Sequence, residues 1–191
     1  MNEIRVVAVI SAGALGRGIA YVAALGGYRT ILEDILPASL RSAENEIREF
    51  LARAVAAGRL SAIDANSAVQ LLEYAGSVEE AARQADLVIE AVPDEVESKL
   101  EIVTLLDKIC RPHTILACNS CALSVSEIAS VTYRAAGMLG MRFRRPVAEM
   151  KMLEIVRGRE TSDQTAAACA EVVRRMGMEA VVVREDSAGD V

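Results

Sequence analysis

Between Ile4 and Asp34 the chain assembles the parts needed to hold a pyrophosphate and a ribose. Ile4 to Ile10 is a continuous apolar run of strand length, and Ser11-Ala12-Gly13-Ala14-Leu15-Gly16 leads from it into an Ala-rich helical segment ending near Gly26-Gly27. Small residues at a strand-to-helix turn let the backbone approach a phosphate, while the first helical turn points unpaired N–H groups at the anion. Gly13 and Gly16 stand at the second and third glycine positions of a dinucleotide fingerprint, with Ser11 at the first. Serine makes that turn only if the backbone there does not require a positive φ. Taken alone, the loop also fits a plain tight turn. Asp34 sharpens the reading, because it lies 21 residues after Gly13 at the end of a second apolar run, Thr30 to Leu32. A carboxylate there can accept both hydroxyls of an adenosine ribose and repels a 2′-phosphate, so the cofactor expected is NAD rather than NADP. Glu33 leaves the contacting residue open by one position.

These residues must be positioned by a βαβ unit of about thirty residues. The fold expected is α/β: a Rossmann-type, doubly wound, mostly parallel sheet. From Asp34 to roughly Tyr74 the alternation is interrupted by two amphipathic helices, Ala38 to Ala57 and about Ser61 to Leu72, joined at Gly58. They read as a helical hairpin inserted after the second strand, over about residues 36–73. Ser77 and Glu80 form a capping box opening a short helix, and Asp86 to Val92 is a nearly continuous apolar strand. A helix over Glu95 to Cys110, a strand over Thr114 to Cys118 and a second capped helix, Ser124 to Ser130, keep the rhythm. Strands follow over Met138 to Phe143 and Met152 to Val156. A helix from Ser162 to Met176, closed by Gly177, precedes a last strand, Ala180 to Val183. No repeat, low-complexity tract or linker divides residues 1–191, which read as a single domain.

Composition narrows the function classes. With 52% hydrophobic residues among 191, the chain can bury a sizeable core without disulfides or metals. A net charge of −6 with scattered Lys and Arg argues against nucleic acid as a partner. Cys110, Cys118, Cys121 and Cys169 lack zinc-ligand spacing, so no metal is expected, and without a secretory leader they read as reduced cytoplasmic thiols. Charged residues interrupt every apolar run well short of the roughly 20 residues that span a membrane, so no membrane partner is expected.

From Ile4 to about Ser187 the chain resembles the NAD-binding domain of the 3-hydroxyacyl-CoA dehydrogenases. The resemblance rests on Val7-Ala8-Val9-Ile10 with Gly13, Gly16, Gly18, Ile19 and Ala20, and on Ala85-Asp86-Leu87-Val88-Ile89-Glu90-Ala91-Val92 with Lys99. It extends through Thr114-Ile115-Leu116-Ala117 with Asn119, Gly140-Met141, Pro146-Val147, Met150-Lys151 and Glu154-Ile155-Val156. It implies reversible NAD-linked oxidation of a 3-hydroxyacyl thioester to the 3-ketoacyl form, as in fatty acid metabolism. It also implies cofactor contacts at Ser11, Gly13, Ala14, Leu15, Gly16, Asp34, Ala91, Val92, Asp94, Lys99 and Asn119.

The substrate side departs from the family. In the family's Gly-Met-His-Phe-Phe-Asn-Pro-Val segment the His is the general base, oriented by a Glu twelve residues later. Here the segment reads Gly140-Met141-Arg142-Phe143-Arg144-Arg145-Pro146-Val147, with Glu154 retained. The family's hydroxyl-binding Ser is Cys121. A hydride cannot leave an alcohol carbon unless the hydroxyl proton goes to a base, and a guanidinium stays protonated. His113 precedes its strand and so lies at the wrong end of the sheet. Cys121 as a thiolate or Glu154 as a carboxylate are weaker stand-ins, while Arg142 and Glu154 are expected to form an ion pair. The Arg142, Arg144 and Arg145 cluster fits either an anionic ligand or a solvated surface. Family members continue into a helical domain that completes the acyl-CoA pocket and the dimer interface, and this chain stops before it. The leading expectation is an NAD(H)-binding domain of this family with impaired catalysis toward an acyl-CoA-like molecule. The alternatives are a non-catalytic nicotinamide-dinucleotide sensor or regulatory module, and a half-enzyme needing a helical domain in trans.

Overall fold

Short apolar runs become strands, fully buried at the centre of the sheet and partly exposed at its edges. In a computed structural model describing residues 3–93, 95–119 and 124–185 these are β1 (Val6–Ile10), β2 (Arg29–Glu33), β3 (Leu72–Ala75), β4 (Leu87–Glu90), β5 (Ile115–Cys118), β6 (Met138–Arg142), β7 (Met152–Arg157) and β8 (Glu179–Arg184). They join one sheet in the order β3-β2-β1-β4-β5-β6-β7-β8. From β3 to β6 all neighbours are parallel; β7 runs antiparallel to β6, and β8 parallel to β7. The central strands β4 and β5 are buried throughout, which explains their unbroken hydrophobicity. Strand order reverses between β1 and β4, and the crevice at that reversal, beyond the carboxyl ends, is where such sheets place ligands.

Helices α1 (Ala14–Leu25), α2 (Pro37–Ala56), α3 (Ala62–Gln70) and α7 (Asp163–Arg175) bury their apolar stripes on one face of the sheet. Helices α4 (Val78–Ala82), α5 (Val96–Ile109) and α6 (Val125–Ala129) cover the other. The inserted hairpin is α2 and α3, both packed on α1; Ser61 caps α3 by accepting the Asp64 N–H at 3.0 Å. Against α1 also lies the turn after β6. A Cβ on Gly18 would meet Val147 side-chain atoms at 3.0 Å, so helix and turn approach at a distance that a larger residue would open.

Expected and observed boundaries agree to within two residues for the elements read from the sequence, and β3 corrects the reading. Leu72 and Glu73, placed above in the hairpin insertion, open a strand parallel to β2 at the sheet edge. Four residues including an exposed acid carry no clear period-two signal. Its partners lie far off in the chain: Glu73 is in register with Ile31, and the Arg29 guanidinium reaches both Glu73 oxygens at 2.6 and 2.7 Å and lowers the Glu73 pKa.

The end of α5 is held by Arg134. Its guanidinium pairs with Asp107 at 2.7 Å and donates to the carbonyls of Asp107, Cys110, Arg111 and Thr114. Arg134→Met would leave a largely buried carboxylate with only the Tyr133 N–H, and take the guanidinium donors from the carbonyls at the end of α5. The expected loss is about 3 kcal/mol, read as a lower midpoint in urea denaturation with unchanged slope, and Arg134→Lys should recover only part of it.

Candidate functional site

The loop after β1 is shaped by one backbone conformation and one missing side chain. Ser11 has φ 85°, which corrects the expectation that serine there would avoid a positive φ. For a residue with a Cβ this region costs about 1–2 kcal/mol, so neighbouring contacts must impose it. Ser11 N–H donates to the Glu33 carbonyl at 3.0 Å, and Ala12 N–H donates to Asp34 Oδ2 at 3.0 Å. On the other side a Cβ on Gly16 would lie 1.8 Å from the Ser11 carbonyl oxygen, so α1 can begin here only with glycine at that position. The helix N-cap, Gly13, supplies no side-chain acceptor, and the first turn contains no acid. Its leading N–H groups are therefore left for an anion.

Asp34, not Glu33, faces this loop. Besides Ala12, its Oδ1 accepts the Leu36 N–H at 2.9 Å, so the carboxylate both closes the turn after β2 and braces the loop. A carboxylate offers about four lone-pair sites, leaving capacity for ribose hydroxyls. Glu33 follows Ile31 onto the α4 face by the period of two along a strand, and it is buried.

Across the reversal point a buried ion pair ties three strand ends together. Lys99, projecting from α5, is fully buried, with Nζ at 3.0 and 2.8 Å from the two oxygens of Glu90 and 2.9 Å from the Asn119 carbonyl. Glu90 Oε1 also accepts the Val92 N–H at 2.7 Å, and Ala91 N–H donates to Ile10 O at 3.0 Å. Asn119 N–H donates to Glu90 O at 3.2 Å, while its Oδ1 accepts Phe143 N–H at 2.7 Å. Sequence reasoning named Lys99 and Asn119 but gave Glu90 no role. The available signal was an acid ending an otherwise wholly apolar strand.

Arg142 and Glu154 are direct register partners on antiparallel β6 and β7. Arg142 Nη1 lies 3.1 Å from Glu154 Oε2, and both side chains are 17% exposed, as the twelve-residue spacing led us to expect. Arg144 and Arg145 are exposed beside them. His113 sits at the opposite end of the sheet, with Nε2 3.7 Å from Asp86. Burial pushes the Cys110 thiol up to about 11 and that of Cys169 to about 12, which suits inert core residues. Asp94 and Cys121, named above as site residues, lie outside the described residues.

Two substitutions test this frame. Gly16→Ala should force the loop away from α1, costing about 1–3 kcal/mol in thermal or denaturant unfolding. Lys99→Met should cost more, about 3–5 kcal/mol, because it strands the buried Glu90 carboxylate, and adding Glu90→Gln should restore part of the loss.

The family model for the 3-hydroxyacyl-CoA dehydrogenase NAD binding domain matches residues 6–187. Over 183 residues the chain is 37% identical to a probable 3-hydroxybutyryl-CoA dehydrogenase of Bacillus subtilis (strain 168), covering 96% of this chain and 63% of the relative. The crystal structure of (S)-3-hydroxybutyryl-CoA dehydrogenase from Ralstonia eutropha superposes with a TM-score of 0.91 at 31% identity, over 95% of this chain and 64% of that one. FadB2 of M. tuberculosis does so with a TM-score of 0.90 at 30% identity, over 96% and 65%. The chain thus spans less than two thirds of the length of these relatives.

Proposed function

This chain belongs to the 3-hydroxyacyl-CoA dehydrogenase family, of which it is an NAD-binding domain, and we propose that it retains the cofactor site while being impaired in that family's oxidation. The residues present fit the dinucleotide. Gly16 lets the Ser11 carbonyl close against the start of α1 and so shapes the loop, the uncapped start of that helix suits a pyrophosphate, and the Asp34 carboxylate beside the loop keeps acceptor capacity for ribose hydroxyls. When bound, NAD⁺ supplies the hydride acceptor. Everything else needed to oxidise a 3-hydroxyacyl thioester must come from protein groups, above all a base for the hydroxyl proton.

The observation that carries the impairment is the Arg142–Glu154 pair. Arg142 occupies the position of the family's general base and has donors but no acceptor. The retained acid is engaged by that guanidinium rather than orienting an imidazole. No histidine can substitute, since the chain's one histidine pairs with Asp86 at the far end of the sheet. The 3-hydroxyacyl-CoA substrate class follows from the family alone and is part of the proposal.

Calorimetric titration should show NAD⁺ or NADH binding, weakened about tenfold or more by Asp34→Ala, the cost of losing hydrogen bonds to a charged acceptor. Unchanged affinity in that variant would displace the assigned site. With short 3-hydroxyacyl-CoA substrates, NADH production should be at least about 100-fold below that of a competent dehydrogenase, which turns over on the order of 10 per second. Turnover at that ordinary rate would refute the impairment.

A further inference from the structure

We propose that Glu33 is a proton-linked positioning residue for the dinucleotide: the loop holds NAD(H) best when Glu33 is protonated, and binding draws a proton from solvent wherever Glu33 is ionised. The inference rests on the reading above that the pyrophosphate lies over the Ser11–Gly16 loop.

Glu33 is the last residue of β2, with Ile10 as its register partner on β1 and Ala75 on β3. It is 2% exposed, and its Oε1 is buried without a hydrogen-bond partner. A structural acid in such a place would be expected to have found a donor, because an uncompensated buried carboxylate is costly. The same residue is coupled directly to the cofactor loop. Its carbonyl holds the N–H of Ser11, the residue at φ 85°, and the adjacent Asp34 carboxylate holds the N–H of Ala12.

The charged groups facing it are all acids. Asp34 follows it on its own segment, and Glu79 faces it from α4; β1 and its loop contribute the Ser11 backbone, and β3 contributes Ala75. Burial pushes the Glu33 carboxyl up to about 7. Asp34 and Glu79 act in the same direction, against a partial lowering by the Ser11 backbone. Proton occupancy is therefore poised near neutral pH. A pyrophosphate held at the start of α1 adds negative charge at the loop whose Ser11 N–H the Glu33 carbonyl holds, which favours the protonated acid further. By reciprocity, protonation then strengthens pyrophosphate binding.

Without ligand, the raised pKa has a definite sign. The native state holds its proton to higher pH than the unfolded chain, so Glu33's share of stability falls as pH rises from about 4.5 to about 7 and levels off above.

The experiment is calorimetry of NAD⁺ binding to the whole chain at pH 6, 7 and 8, in buffers of contrasting ionisation enthalpy, for wild type, Glu33→Gln and Glu33→Met. Wild type should show little proton uptake at pH 6 and growing uptake toward pH 8, with affinity falling by up to about tenfold, the equivalent of one pKa unit. Both variants should bind with no uptake and a flat profile. Two variants are used so that a folding defect in one leaves the other informative, and circular dichroism across the same pH range reports the fold of each. Binding without proton uptake in wild type, or uptake that persists in either folded variant, overturns the inference while leaving the site intact. Absence of NAD⁺ and NADH binding at every pH overturns the cofactor-site reading and this inference with it.

Discussion

The Glu90–Lys99 ion pair is the contact on which the geometry of the crevice depends. Two charges removed from water gain little net stability from each other, because desolvation offsets much of their attraction. What they gain is position: a buried carboxylate must place its oxygens on donors, and a buried ammonium must place its protons on acceptors. Glu90 therefore holds Val92 N–H as well as Lys99, and Lys99 holds the Asn119 carbonyl as well as Glu90. Asn119 passes the constraint to Phe143 through its own side chain. The ends of β4, β5 and β6 thus share one hydrogen-bonded network.

On the other bank of the crevice the constraint is steric. The carbonyl of Ser11 occupies the space where Gly16 lacks a side chain, and β2 holds the loop in that posture through Glu33 and Asp34. Binding an anion at the start of a helix needs backbone N–H groups in place beforehand, since ordering a loop on binding would cost affinity. Here the ordering is done by the fold. It also places an acid with one unpartnered buried oxygen next to the loop, where a wholly structural residue would more simply be aliphatic.

Between the two banks the proposed change of chemistry leaves the backbone frame as it is. Antiparallel pairing of β6 and β7 sets positions 142 and 154 face to face whatever their side chains are. A guanidinium and a carboxylate pair there, so the exchange of a proton acceptor for a permanent donor that the proposed function supposes is compatible with the same backbone. The proposed loss of the base is in this sense compatible with retention of the fold, as expected when a reaction depends on a few side chains carried by a scaffold.

Much of this protein is set locally and was legible in the chain. Apolar runs of strand length, capping boxes and glycine placement define the alternating elements, because hydrophobic period and backbone freedom act over a few residues. The spacing of Gly13, Gly16 and Asp34 points to the proposed dinucleotide site for the same reason, and twelve residues around a reversing turn suffice to oppose Arg142 and Glu154. Contacts between segments distant in sequence decided the rest. Ser11 takes a positive φ because β2 and Gly16 leave its carbonyl one place to go. Leu72 and Glu73 join the sheet by pairing with β2, on which Arg29, 44 residues before Glu73, also offers a fork for that acid. Glu33 and Asp34 are neighbouring acids that look interchangeable in the chain. Only the packing of α4 against the sheet sends one into the interior and leaves the other on the loop, since successive side chains of a strand point to opposite faces and those faces have different neighbours.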